Sequence, residues 1–225
     1  MSDRLEVVAI DGPSGVGKST VSRKLAALLG FTYLDTGAMY RAVALKCKTA
    51  KANVRDEAVV AAIVENLDLQ LLPAKSDRDD VRVILDGEEV GDLIRTEEIS
   101  MLASAVSALP SVRQCLTRMQ QEYGAAGKVV AEGRDTGTIV FPSAAWKFFL
   151  DAAPEERARR RINQLRNMGE AVDEAEILRQ IIKRDRDDSE RKLAPLKAAP
   201  DAVRVDSTRL RADEVIKQIL EIIRK

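Results

Sequence analysis

A chain of 225 residues, 45% hydrophobic and 32% charged, has the composition of a soluble protein and the length for one large α/β domain with insertions or two small ones. Basic and acidic side chains balance at 36 each, so no overall field draws the chain to nucleic acid or to an anionic membrane. There is no histidine, which excludes Ser–His nucleophilic catalysis, imidazole general-base chemistry and the commoner zinc sites.

No apolar stretch approaches the roughly 20 residues that span a bilayer, and Met1–Leu5 lacks the apolar core of a secretory signal. Cys47 and Cys115 stand apart, form no C-x-x-C and suit a reducing compartment. The expectation is a cytoplasmic protein.

In chain order, Leu5–Ile10 reads as a buried strand, and the segment from Thr20 to Leu29 as a helix with Val21, Leu25, Leu28 and Leu29 inward. Between them Gly12, Pro13, Ser14, Gly15, Val16, Gly17, Lys18 and Ser19 fit the pattern G-x-x-x-x-G-K-[ST]. Glycines let backbone amides approach an anion, and the helix that follows points its first N–H groups at it. Lys18 adds a charge for the β- and γ-phosphates, and the Ser19 hydroxyl can hold Mg²⁺. This loop in this context binds a nucleoside triphosphate.

Thr32–Leu34 reads as a second strand, followed by Asp35-Thr-Gly-Ala-Met-Tyr-Arg41. Loops beyond strand carboxyl ends are where open α/β sheets bind ligands, so Tyr40 and Arg41 are candidates. A plain capping turn with an exposed Tyr–Arg pair is the alternative. From Thr36 to Pro110 the pattern changes. A helix is expected over Asp56–Asn66, half-buried strands over Leu67–Leu72 and Val81–Leu85, a tight turn at Asp86-Gly87 and a return over Glu88–Val90. Lys75–Asp80 reads as a charged loop tip. Thr96 caps a helix whose inner face is Ile99, Leu102, Ala103, Val106 and Leu109. The segment looks like a lobe inserted into a parallel core.

Lys128–Ala131 is the third core strand, and Glu132-Gly-Arg-Asp-Thr-Gly-Thr138 follows it. Glu132 is placed to hold a metal-bound water opposite Ser19, and Arg134 and Asp135 are displayed together; a surface turn with an internal salt bridge is the bland alternative. Trp146–Leu150 and Ala202–Val205 complete five parallel strands, and Val215, Ile216, Ile219, Ile222 and Ile223 form one face of a closing helix. Between them lie two arginine-rich helical segments, Pro154–Met168 and Asp173–Asp188. Most arginines among Arg157, Arg159, Arg160 and Arg161 read as solvated, with one or two free to stabilise a moving phosphoryl group. Spacing puts Arg157 with Arg161, and Arg184 with Asp188, on common faces. Asn163–Asp173, including Met168-Gly169, could be the mobile segment that delivers them.

Taken together, IDGPSGVGKST, LDTGAMYR, EGRDTGTIVFP, RDRDDSERKLAPL and VDST resemble the bacterial cytidylate kinases, a branch of the nucleoside monophosphate kinases. The resemblance runs from the first strand to the last helix. It implies a three-layer α/β fold of the P-loop NTPase type with a five-stranded parallel sheet, a monophosphate-binding lobe holding a small antiparallel sheet, and a short lid. The core would span 1–35 and 111–225, the lobe 36–110 with its sheet near 67–90, and the lid about 157–173. ATP and Mg²⁺ would be the cofactors, with CMP and dCMP the acceptors, and neither nucleic acid nor membrane a partner. A monomer is expected.

Carried onto this chain, Gly12 to Thr20 would hold the ATP phosphates, and Arg41, Arg134 and Arg191 would clamp the phosphate of CMP. Ser104, Arg113 and Asp135 would read cytosine. Thr36 and Tyr40 would line the acceptor site, and Arg184 and Asp188 would hold the ribose. Arg184 and Arg161 are the further candidates for the transferred phosphate, Arg161 also lying near the adenine. Family members often have Asp where Glu132 stands; Glu keeps the charge and reaches further. Among Arg159 to Arg161 the sequence does not choose. A switch GTPase would carry N-K-x-D, which is missing from this chain. A kinase of another small acceptor would not need Ser104, Arg113 and Asp135.

Overall fold

The computed structural model describes residues 4–74, 80–167 and 169–224. Of the Lys75–Asp80 loop, only Asp80 falls within the described residues, and Met168 lies outside them. Five strands, β1 (Leu5–Asp11), β2 (Thr32–Asp35), β6 (Val129–Gly133), β7 (Ala144–Asp151) and β8 (Val203–Asp206), form one parallel sheet in the order β2-β6-β1-β7-β8.

The central strand explains its own sequence. Val7 to Ile10 are fully buried because helices cover both faces. Alternate residues enter opposite cores: Val7 and Ala9 join one cluster, Val8 and Ile10 the other. The first of these runs from the sheet through Ala38, Met39 and Val43 to Val60, Val83, Ile94 and Val106, so one apolar core continues into the inserted region. The second packs Val21 and Leu25 against Val215, Ile216 and Ile219.

Helices α1 (Lys18–Leu29), α2 (Thr36–Thr49), α3 (Glu57–Glu65), α4 (Glu97–Val106), α5 (Pro110–Gly124), α6 (Pro154–Asn167), α7 (Glu174–Glu190) and α8 (Ala212–Ile223) connect and cover the strands. Asp35, Asp56, Thr96 and Asp173 cap α2, α3, α4 and α7 by accepting from backbone N–H groups of the first turn. Helix α1 starts at Lys18 rather than Thr20, because Gly17 takes a left-handed conformation (φ 97°) that lets the loop turn directly into the helix. Strands β3 (Leu69–Leu72), β4 (Arg82–Leu85) and β5 (Glu88–Glu89) make the small antiparallel sheet. Its tight turn is the expected one, with Asp86 and Gly87 both at positive φ. Asp80 is paired with Arg23 of α1 at 2.6 Å and with Arg95 at 2.9 Å, tying the inserted region to the core.

Strands β1, β2 and β6 end level with one another: Asp11 pairs with Gly133 and Asp35 with Glu132. Their carboxyl ends therefore deliver the three motif loops to one crevice. Gly12 begins the first loop against the backbone of β7, where a Cβ would lie 2.1 Å from the Leu150 carbonyl oxygen. Around Gly17 a Cβ would meet nothing within 4 Å. Gly12→Ala should lower stability by about 3 kcal/mol or more, since backbone must move, and Gly17→Ala by about 1–2 kcal/mol from left-handed strain alone. Urea midpoints of the two variants check the order; equal losses would contradict it.

Candidate active site

Lys18 closes its loop by donating to the Pro13 carbonyl at 2.8 Å. Burial, together with Arg134 and Arg184, pushes its ammonium down to about 7, against the pull of Glu132 and Asp11. The loop carbonyls are held from outside. Arg157 donates to the Ser14 carbonyl at 3.0 Å, and Arg160 and the Ser207 hydroxyl each approach the Val16 carbonyl at 3.3 Å.

This corrects the reading of α6 as a mostly solvated face. Arg159 is exposed and pairs with Glu156, yet Arg157 is 2% exposed and Arg160 reaches the Ser207 carbonyl at 2.6 Å. Helical spacing reports which face a residue takes, not whether a loop lies against it. Arg157 and Arg161 also part company: Arg161 contacts Gln164 and, at 3.4 Å, Glu97 at the start of α4. That ion pair joins the arginine-rich hairpin to the inserted region.

Beside the loop, the Tyr33 hydroxyl donates to Glu132, and the Ser19 hydroxyl lies close to both. Burial first, then Asp35, pushes the Glu132 carboxyl up, while Lys18 draws it down. Asp35 accepts from the Ala38 N–H at 2.8 Å and from Arg41 at 3.0 Å. Thr36 is buried with its hydroxyl donating to the Glu132 carbonyl at 2.6 Å, so it braces the wall at this point. No group of three or more His, Cys, Asp or Glu capable of holding a metal occurs among the described residues. The donors here are hard oxygens: one hydroxyl and one carboxylate. That set fits a magnesium ion, which keeps several waters and leans on substrate phosphates.

The third loop is fixed by a residue the sequence reading passed over. Asp11, at the end of β1, accepts from the Thr136 and Gly137 N–H groups at 2.8 Å each. Arg134 and Asp135 are thereby set side by side. Arg134 donates to Asp188 at 2.8 Å, while Asp135 forms a buried ion pair with Arg113. Arg113 lies 5.7 Å from the Tyr40 ring centroid and donates to the Ser107 carbonyl at 3.1 Å. Arg191 donates to the Ser107 hydroxyl at 3.0 Å and faces Asp188 at 4.0 Å. Ser104 contributes its carbonyl, which accepts from Ser107 at 2.8 Å.

Electrostatics marks this as a charged enclosure. Burial pushes Asp135 up, against Arg113, Arg191 and Arg134. Burial would raise Asp188 too, but Arg134, Arg184 and Arg191 together hold it below the usual carboxylate range. Arg184 is pushed down to about 10 by burial and by Arg134 and Arg41, against Asp188 and Glu97. The Nε atoms of Arg41 and Arg184 are buried without a hydrogen-bond partner. Arg134 and Arg184 thus lie close enough to depress Lys18, and Arg134 and Arg41 close enough to depress Arg184, with the Nε donors of Arg41 and Arg184 left over.

The structure brings together the loop lysine, Ser19, Glu132, Arg41, Arg113, Arg134, Asp135, Arg184, Asp188 and Arg191; Arg161 borders them through Glu97, which also acts on Arg184. Sequence reasoning missed Asp11, Tyr33, Ser107 and Asp185, and left Arg160 unchosen among its neighbours. Only Asp11 left a signal, a charge directly after the four apolar residues Val7 to Ile10.

The cytidylate kinase family model matches residues 8–225. A cytidylate kinase of Carboxydothermus hydrogenoformans is 46% identical over 216 residues, covering 96% of each chain. One of Pasteurella multocida is 45% identical over 225 residues, covering 100% of this chain and 97% of its own. Among solved structures, a shikimate kinase from Bacteroides thetaiotaomicron aligns with TM-score 0.50 at 14% identity, over 98% of this chain and 99% of its own. A gluconokinase from Sinorhizobium meliloti gives TM-score 0.50 at 14% identity, over 98% and 94%. At such identity these two bear on the fold alone. Sequence relatedness that holds at this level along almost the whole length leaves one assignment: the chain belongs to the cytidylate kinase family.

Proposed function

We propose that the protein transfers the γ-phosphoryl group of ATP to CMP, giving ADP and CDP, and that it accepts dCMP as well. The observation that carries the reading is the convergence of Lys18, Arg41, Arg134 and Arg184, mutually repelling cations with unpartnered N–H groups at the strand ends. Such a set is stabilised by an anion placed among them. It suits the transition state of phosphoryl transfer, in which charge spreads over the equatorial oxygens.

In this reading an oxygen of the CMP phosphate attacks the γ-phosphorus in line, the bond to the β–γ bridging oxygen breaks, and ADP leaves with that electron pair. Lys18 and the loop amides hold the donor phosphates. Arg41, Arg134 and Arg191 hold the acceptor phosphate, and Arg184 serves the group in transit. Ser19, and Glu132 through water, would hold a magnesium ion, which would supply positive charge to the donor phosphates. Asp135 accepts from the cytosine N4 amino group; uracil presents a carbonyl there and meets repulsion and an unpaired buried group. Asp188 takes the ribose through the 3′-hydroxyl, which leaves deoxyribose acceptable. We assign the enzyme to the cytoplasm, as a monomer; no helix among the described residues is long and apolar enough to cross a membrane.

ADP production with MgATP against CMP, dCMP, UMP, AMP, GMP and no acceptor tests the proposal. Strong stimulation by CMP and dCMP with little from UMP is expected. Absence of acceptor-dependent turnover in folded protein would overturn the kinase reading. Asp135→Asn replaces an acceptor-only carboxylate with an amide that can donate to the uracil carbonyl, so the CMP/UMP ratio of kcat/KM should fall about tenfold or more. An unchanged ratio in a variant of normal melting temperature would remove Asp135 from base reading.

The low Lys18 value gives a proton signature. With the free-enzyme group near 7, Lys18 is largely neutral at pH 8 and charged at pH 6. Phosphates beside it restore the charge, so nucleotide binding takes up about one proton at pH 8 and almost none at pH 6. Calorimetry in buffers of different ionisation enthalpy reads this directly, and Lys18→Met should abolish the uptake.

A further inference from the structure

Helix α7 carries two sets of functional contacts on neighbouring faces. Arg184 and Asp188, one turn apart, meet Arg134 on the acceptor side. Asp185, about 100° further round the helix, faces α6 instead. Its carboxylate accepts from both terminal nitrogens of Arg157, at 3.0 and 2.5 Å, in a fork-to-fork pair. Arg157 has a side chain only 3% exposed, against 24% for Asp185. Its remaining donors are spent on backbone: Nε on the Ala152 carbonyl at 2.9 Å, and one terminal nitrogen on the Ser14 carbonyl at 3.0 Å. A Cβ built on Gly15 would lie 3.4 Å from the Cβ of Arg157, so the first turn of α6 sits directly against the phosphate loop.

A guanidinium so enclosed keeps its aim only while a carboxylate faces it. We infer that Asp185 is a positioning residue of the donor site, acting through Arg157 on the Ser14 carbonyl, and that it couples donor binding to acceptor binding because it shares α7 with Arg184 and Asp188. The coupling half rests on the acceptor roles proposed above; the positioning half rests on the loop geometry alone. Ser14 is the middle of the loop that wraps the donor phosphates, so an Arg157 free to swing would let the loop amides lose their convergence. Coupling between the two nucleotides is reciprocal: whatever factor CMP adds to donor affinity, the donor adds to CMP affinity.

Asp185→Asn keeps the size of the side chain and removes the charge. The sign of its effect separates positioning from simple electrostatics. Removing a negative charge near an anion site strengthens binding if charge is all that matters; a loosened loop weakens it. Calorimetric affinity for MgADP, alone and with saturating CMP, together with CMP affinity alone, reads both halves without turnover. Expected for D185N are a roughly tenfold weaker MgADP affinity, the scale of one lost charge-assisted contact, CMP affinity alone within about twofold of the parent, and a CMP-dependent gain in MgADP affinity reduced toward none. Asp185→Glu should recover part of the loss.

Unchanged or tighter MgADP binding by D185N overturns the positioning role. Equal weakening of MgADP and CMP with a fallen melting temperature overturns it in favour of general support. An undiminished CMP-dependent gain overturns the coupling. If D185N does not fold, Arg157→Lys, which keeps the charge and loses the fork, is read by the same criteria. A parent protein that binds MgADP and not CMP would refute the acceptor reading, while the MgADP result for D185N still decides the positioning role.

Discussion

Like charges held together in a half-closed crevice are the constraint around which the rest of this molecule is arranged. Burial first, and then neighbouring charge, depresses two of them: Arg134 and Arg184 act on Lys18, and Arg134 and Arg41 act on Arg184. Left alone, such a cluster would splay into solvent. Three of the four are instead leashed: Lys18 to the Pro13 carbonyl, Arg41 to Asp35, Arg134 to Asp188. The leashes hold the side chains near their working place and leave N–H groups over, including the Nε atoms of Arg41 and Arg184. A site built this way is preorganised for an anion: reorganisation energy is spent in folding and not at the moment of reaction.

The scaffold supplies the leashes through backbone as much as through side chains. Asp11, placed where β1 meets the phosphate loop, reaches across to the Thr136 and Gly137 amides and so joins the donor loop to the loop carrying Arg134 and Asp135. Ser107, at the end of α4, does the same on the acceptor side by receiving Arg113 on its carbonyl and Arg191 on its hydroxyl. An enzyme that gathers this many cations in one crevice needs carboxylates nearby to hold them, and here they stand within the same crevice or one helix turn behind it.

What was legible in the sequence tracks how local the physics is. Strand β1 reads correctly because burial on both faces makes a continuous apolar run, and the Asp86-Gly87 turn reads correctly because positive φ at two successive positions suits few other residue pairs. The cap at Thr96 depends on a bond only three residues long. The misread features depend on distant partners. Arg157 looks like a surface arginine until Ser14, 143 positions away, is brought beside it. Tyr33 looks like an ordinary strand aromatic until β6 sets Glu132 opposite Asp35 and within reach of its hydroxyl. Where the loop motifs were read from family resemblance, the structure adds which residues hold them in place.

The absence of histidine then acquires a positive meaning. An acceptor phosphate is already an anion at neutral pH, so in the reaction proposed here no base need strip a proton from the nucleophile, and positioning with charge stabilisation carries the chemistry. Arginine suits that demand because its charge survives burial: even pressed by its neighbours, Arg184 comes down only to about 10. Lys18 alone among these cations is brought near neutrality, at about 7. The free site therefore relieves part of its own repulsion by letting Lys18 shed a proton, and recovers the full charge when phosphate enters. A crevice of arginines around a single titrating lysine stays assembled when empty and regains its full charge when occupied, with Lys18 the one cation of the four drawn near neutrality.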